Sequence, residues 1–129
     1  MRKTAALLIG SLLLAGAPAM AVSPEGEAKL AKALEGRVAG KPVDCINLRN
    51  VRSSKVIKDT AIIYDAGSTL YVNRPDAGAE SLGKWDVLVT RTLSSQLCNV
   101  DVVHLRDRST GMQTGFVLLG DFIPYRRAH

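Results

Sequence analysis

Residues 61–73 read AIIYD-AGS-TLYVN, the clearest strand–loop–strand pattern in the chain. Two five-residue arms, rich in β-branched and aromatic side chains, flank a short loop that contains Gly67. Such arms favour strands, and a glycine-containing loop between them is typical of an antiparallel hairpin. Tyr64 and Tyr71, one on each arm, are placed to face each other as a cross-strand pair. The sequence therefore predicts antiparallel β structure at its centre.

Similar strand patterns occur on both sides of this hairpin. Further strands are predicted at 44–51, 85–92, 100–106 and 113–119, and segment 120–125 closes the domain. Short strands with turns roughly every 8–12 residues favour a mostly β fold, a small antiparallel barrel or sandwich of about six strands. We expect the six aromatic residues of the chain mainly to fill its core, although tyrosines on a sheet also suit stacking on a sugar or peptide.

One N-terminal helix precedes the strands. Ser23 suits the N-cap, Pro24 suits the first helical position, and acidic residues follow in the first turn. The apolar face of this helix is mostly alanine, so the sequence leaves open whether the helix docks on the sheet. The predicted division is a helix and linker at 22–42, a β domain at 43–125 and a C-terminal tail at 126–129.

Residues 1–21 have the pattern of a secretory signal peptide. Arg2 and Lys3 precede an apolar run at 5–14, and Ala19-Met20-Ala21 offers small residues for cleavage after Ala21. The alternative is a retained membrane anchor, but a spanning helix needs about 20 apolar residues, and Pro18 interrupts this shorter run. We expect a periplasmic or secreted protein with no membrane span in the mature chain.

Length and charge limit the possible classes of protein. A chain of 129 residues is expected to form one domain. The formal net charge is +5, and removal of Arg2 and Lys3 with the signal peptide lowers it to +3. So mild a positive charge does not indicate a nucleic-acid-binding protein.

The chain has two cysteines, Cys45 and Cys98. In an oxidising compartment an even pair predicts a structural disulfide. The alternative, a reactive thiol, lacks a C-x-x-C motif and a histidine beside either cysteine.

Catalytic and metal-binding motifs are scarce. The two histidines, His104 and His129, have no cysteine or carboxylate at metal-ligand spacing, and no G-x-S-x-G motif surrounds a serine. The sequence predicts neither a cofactor nor a metal site. A Ser–His–Asp arrangement built around His104 from separate strands stays open.

Four basic residues, Arg49, Arg52, Lys55 and Lys58, recur every third position. In an extended or turning segment they would form a positive ridge able to hold an anionic envelope polymer. The alternative is that they cover the solvent side of a strand and protect its edge from aggregation.

Several short motifs resemble a family of small secreted bacterial proteins of unassigned function. They lie at 45–46, 52–53, 56–59, 70–73, 95–101 and 119–125. The resemblance covers about residues 44–125 and implies a compact β domain after a signal peptide, with no activity to carry over. Members of that family often have further cysteines near positions equivalent to Leu82 and Leu118, where this chain has none. If those two would pair, the resemblance leaves Cys45–Cys98 as the remaining bridge.

These observations favour a non-enzymatic binding or accessory domain that recognises an envelope protein or an anionic envelope polymer. The alternative is a small extracytoplasmic hydrolase, or an inhibitor of one. A pocket that joins His104 to a serine and a carboxylate would favour the hydrolase. Clustered Arg49, Arg52 and Lys55 on an open surface would favour binding.

Overall fold

The computed structural model describes residues 23–128. The predicted signal peptide and His129 lie outside the described residues. This part of the chain contains one α-helix, α1 (Pro24–Ala33), and two single-turn 3₁₀ helices, Leu48–Asn50 and Ala79–Ser81. Its strands are β1 (Arg37–Ala39), β2 (Cys45–Asn47), β3 (Ser53–Ile57), β4 (Ala61–Asp65), β5 (Thr69–Asn73), β6 (Val87–Thr90), β7 (Gln96–Cys98), β8 (Val102–Arg106), β9 (Gln113–Leu118) and β10 (Phe122–Arg127). None of the helices in 23–128 has the length and apolarity needed to cross a membrane.

The strands form three antiparallel sheets. Their orders are β1-β10-β5-β4-β3, β2-β7 and β6-β8-β9. The prediction of a mostly β, antiparallel fold with one N-terminal helix is confirmed. The predicted number of about six strands is wrong, because residues 23–128 contain ten, and these sheets do not close into a barrel.

The additional strands have physical reasons for escaping sequence analysis. Strands β1 and β7 are three residues long, too short for an alternating pattern to show. The strand predicted at 44–51 is present as β2 but ends at Asn47, because Leu48–Asn50 forms a 3₁₀ turn. Strand β3 begins with Ser53-Ser54, which are typical turn residues, yet it pairs with all of β4. The closing segment is itself a strand, and it extends through Arg127 into the predicted tail because β10 pairs with both β5 and β1.

The central hairpin is buried on both faces of its sheet. Ala61, Ile62, Ile63 and Tyr64 are all buried, although successive residues of a strand point to opposite faces. Ile62 and Tyr64 belong to the main core, which also takes residues from the two smaller sheets. Ala61 and Ile63 belong to a second core under α1. A continuous apolar run is what a strand covered on both sides requires.

Helix α1 docks on the sheet through a close contact. Leu30 is 2% exposed and packs in the second core. Gly26 lies so near the β3–β4 turn that a Cβ added to it would stand 1.7 Å from the Thr60 Oγ1. At the helix start, Arg74 donates two hydrogen bonds to the Glu27 carboxylate and lowers the pKa of that group. The helix is therefore fixed on the domain.

The two cysteines lie directly opposite each other in the β2–β7 pair, and their sulfurs are 2.05 Å apart, at disulfide distance. In the next pair of this sheet, Ile46 lies opposite Leu97, and the two residues are 4% and 0% exposed. This small sheet thus joins the core through its middle residues.

The aromatic residues divide into two groups. Tyr64 and Tyr71 are opposite each other in the β4–β5 register, as predicted, and Tyr64 packs edge-on against Phe122 with the ring centroids 5.9 Å apart. Trp85 and Phe116, however, are 66% and 52% exposed. The expectation that the aromatic residues fill the core is wrong for these two, because Trp85 lies in the loop before β6 and Phe116 on the outer face of β9.

Candidate binding site

A cavity of about 840 Å³ lies between α1, β3 and the start of β6. Cavities that bind small ligands typically measure about 300–1,000 Å³. Its lining consists of Lys29, Lys32 and Ala33 on α1, residues 54–58 of β3 and its turn, residues 84–88 at the start of β6, and Arg108 in the β8–β9 loop. We call it the basic cavity.

The charge of this lining is strongly positive. Six cations contribute to it: Lys29, Lys32, Lys55, Lys58, Lys84 and Arg108. Within residues 23–128 none of the six forms an ion pair with a carboxylate. Asp86 is the acidic residue of the lining, and its carboxylate accepts hydrogen bonds from the Gly83 backbone N–H at 2.7 Å and the Thr114 hydroxyl at 3.5 Å. Clustered like charges in a cleft focus the electric field and attract a ligand of opposite charge.

Trp85, the single tryptophan of the chain, stands at this cavity with its ring largely exposed. The Lys84 Nζ lies 4.9 Å from the ring centroid, and the Arg108 guanidinium carbon lies 6.0 Å from it. Both distances are within the range of cation–π attraction. The arrangement places a largely exposed aromatic ring beside two cations.

Apolar residues complete the lining. Val56 and Ile57 are 8% and 2% exposed, and Leu88 is half-buried against the main core. Val56 packs in the main core on one face of the sheet, and Ile57 packs in the second core on the other face. Strand β3, which carries both residues, is packed on both faces where it borders the cavity. The lining therefore combines cations with apolar side chains, which suits a ligand that carries both anionic and apolar groups.

The predicted basic ridge is distributed over two sites. Lys55 and Lys58 line the basic cavity. Arg49 and Arg52 line a separate polar groove of about 450 Å³, which we call the arginine groove. Its other lining residues are Asn47, Asn50, Ala66, Ser68, Thr69 and Tyr71. Arg52 and Lys55 are three positions apart in an extended segment, so their side chains point to opposite faces, and the even spacing in sequence does not produce one surface.

Four cations of the basic cavity were not predicted as site residues from the sequence. Lys29 and Lys32 are three residues apart on α1, a spacing that puts them on one helix face. Lys84 and Arg108 come from two loops 24 positions apart. The helix spacing was a usable signal, but no pattern in the sequence indicates that these loops meet β3.

His104 lies on the outer face of β8, away from both sites. Its ring is half-buried, its Nδ1 is 3.2 Å from the Gln113 Nε2, and its ring centroid is 6.4 Å from that of Phe116. In the described part of the chain no serine or carboxylate hydrogen-bonds to this ring. The same residues contain no group of three histidine, cysteine or acidic side chains able to hold a metal ion.

No protein-family model, curated protein or solved structure matches this chain.

Proposed function

We propose that this chain is a secreted or periplasmic, non-enzymatic binding domain whose basic cavity holds an anionic component of the cell envelope. One observation carries the proposal: six cations surround one cavity, and no carboxylate in the described chain pairs with them. Lysine and arginine side chains brought together in this way repel one another, so their placement costs stability unless an anion offsets it. Phosphate and carboxylate groups are the anions that such a lining would select.

Other features agree with an extracytoplasmic location. The sequence begins with a pattern typical of a signal peptide, and the Cys45–Cys98 pair at disulfide distance is compatible with an oxidising compartment. The exposed Trp85 ring adds an apolar surface beside the cations, and exposed aromatic residues are enriched at binding sites.

The strength of binding follows from its exposed, electrostatic character. A solvent-exposed ion pair contributes about 0.2–1 kcal/mol, so several are needed for useful affinity. Attraction of this kind is screened by salt over about 10 Å at 0.1 M ionic strength. A ligand with several negative charges is therefore favoured over a single anion, and its affinity is expected to fall as salt rises.

The test is a fluorescence titration with short-chain inorganic polyphosphate as the probe. Because Trp85 is the single tryptophan and lines the cavity, its emission reports on this site. We expect a saturable change whose Kd rises with salt. The K55E/K58E variant should bind roughly 10-fold more weakly or worse. The matched control, K41E/R91E, changes charge equally at two exposed residues outside both sites and should bind like the unaltered protein. Equal affinity of the two variants, or no binding at low salt, would contradict the proposal.

A further inference from the structure

The basic cavity lies between two sheet edges. Strand β3 is the last strand of the five-stranded sheet, and β6 is the last strand of the three-stranded sheet. Five consecutive residues at each place, 54–58 and 84–88, line the cavity. Alternate side chains of a strand point to opposite faces, so a face would contribute every second residue. A consecutive run indicates that the edge of β3 itself borders the cavity.

The outer edge of β3 is unpaired in the described chain. Ser54, Lys55 and Val56 pair with β4 on one side, and none of them makes a further backbone hydrogen bond. An edge strand of this kind leaves one row of backbone N–H and C=O groups available to another extended chain.

We propose that the basic cavity accepts an acidic, extended peptide segment that pairs with the edge of β3. This inference rests on the proposed function and names the class of its ligand. In strand addition, main-chain hydrogen bonds provide affinity, and side chains that alternate along the peptide provide specificity. The lining residues that belong to β3 itself are 54–57, about 13 Å at 3.3 Å per residue, which matches a peptide of about four residues.

Charge selects the occupant. A strand laid along β3 would pass Lys55 and Lys58, and would have Lys84 on the opposite wall of the cavity. Acidic side chains on the face of the peptide next to Lys55 would meet that cation, and apolar side chains on the other face would meet Val56 and Leu88. A second copy of this chain fits poorly, because pairing two β3 edges would bring lysine against lysine, and like charges opposite each other destabilise a sheet.

A polyanion without a peptide backbone uses the charge of the cavity but not the row of backbone groups on β3. The unpaired edge is thus the observation that favours a peptide over a phosphate-bearing polymer. The two classes can be separated by blocking the backbone of the ligand without changing its charge.

The experiment titrates the protein with a capped eight-residue peptide of alternating Glu and Val, with Trp85 emission as the readout. Two further peptides of the same charge are N-methylated, one at every Glu and one at every Val. Because only alternate N–H groups of a strand point toward a given neighbour, at least one methylated peptide should bind roughly 10-fold more weakly or worse. A peptide with Lys in place of Glu should not bind. Amide hydrogen exchange within 54–56 should slow when the unmethylated peptide is bound.

The outcomes separate the two proposals. If both methylated peptides bind as tightly as the parent, charge alone accounts for binding and strand addition is overturned. If polyphosphate binds and the Glu–Val peptide does not, strand addition is again overturned, while the anion-binding function stands. If neither probe binds at low salt, both proposals fall.

Discussion

Removal of the Cys45–Cys98 bridge should cost about 4 kcal/mol of stability. The two cysteines are 53 positions apart, so the bond closes a loop of roughly half the described chain. In the chain-entropy model a closed loop of this length lowers the entropy of the unfolded state by about 14 cal/mol/K, or about 4 kcal/mol at 25 °C. The β2–β7 sheet gives the bond a local role as well. Two strands of three residues are marginal without support, so here the bridge fixes the register that buries Ile46 and Leu97.

The measurement is urea unfolding of the C45S/C98S variant and of the unaltered protein. For small proteins the free energy of unfolding falls by about 1–3 kcal/mol per molar urea, so a loss of 4 kcal/mol lowers the midpoint by roughly 2 M. Amide exchange at Ile46 and Leu97 should accelerate more than exchange in β4, because these residues lie next to the deleted bond.

The control is a reducing agent. It should lower the midpoint of the unaltered protein to that of C45S/C98S and leave the variant where it was. If the variant has the same midpoint as the unaltered protein under oxidising conditions, the bridge does not stabilise the fold. The same conclusion follows if reduction leaves the midpoint of the unaltered protein unchanged.

Three smaller changes test the packing and the charges. G26A should lower stability by about 1–3 kcal/mol, because the added methyl group would overlap the Thr60 hydroxyl. The loss should appear as a lower urea midpoint. An unchanged midpoint would mean that α1 does not lie so close to the β3–β4 turn. Y64F should leave stability unchanged or raise it by up to about 1 kcal/mol, because the buried Tyr64 hydroxyl has no hydrogen-bond partner in the described chain. Burial of this hydroxyl also raises the pKa of Tyr64. A clear loss of stability in urea unfolding would contradict the prediction. The Ser109 hydroxyl and neighbouring backbone N–H groups lower the pKa of Asp107 to about 2. Since this folded-state pKa lies below the unfolded value of about 3.9, the stabilisation is present above pH 4 and lost between pH 4 and 2; urea midpoints at both ends of that interval should differ less in D107N than in the unaltered protein.

Local patterns were enough to predict the centre of the fold. The β4–β5 hairpin, the opposition of Tyr64 and Tyr71, and the helix start at Ser23 depend on residues close together in the chain, where side-chain alternation, turn chemistry and capping act directly. In these elements the pattern is continuous over at least five residues, which is enough for it to be recognised.

Non-local pairing was beyond the sequence. Strand β10 pairs with β5, some fifty residues earlier, and with β1 earlier still. The residues of β10 do not indicate which strands it pairs with, because backbone hydrogen bonds are alike for any sequence. The helix gave one overlooked signal. Gly26 weakens a helix, and its presence in the first turns is explained only by the close approach of Thr60.

The basic cavity likewise has residues that the sequence predicts and residues that it does not. Lys55 and Lys58 were singled out by their spacing, and the structure places both in the basic cavity. Their predicted companions Arg49 and Arg52 line the arginine groove instead. The residues that complete the basic cavity come from α1 and two loops, and only the folded chain brings them to β3.

The central claim, that an anion binds in the basic cavity, is tested most directly by locating the residues that respond to an added anion. Amide resonances of the protein would be followed by NMR as short-chain polyphosphate is added at low salt, together with the indole N–H of Trp85. We expect the largest shifts within 54–58 and 84–88 and at the Trp85 indole, because these residues line the basic cavity. Shifts centred on Arg49 and Arg52, or no shifts at all, would contradict it.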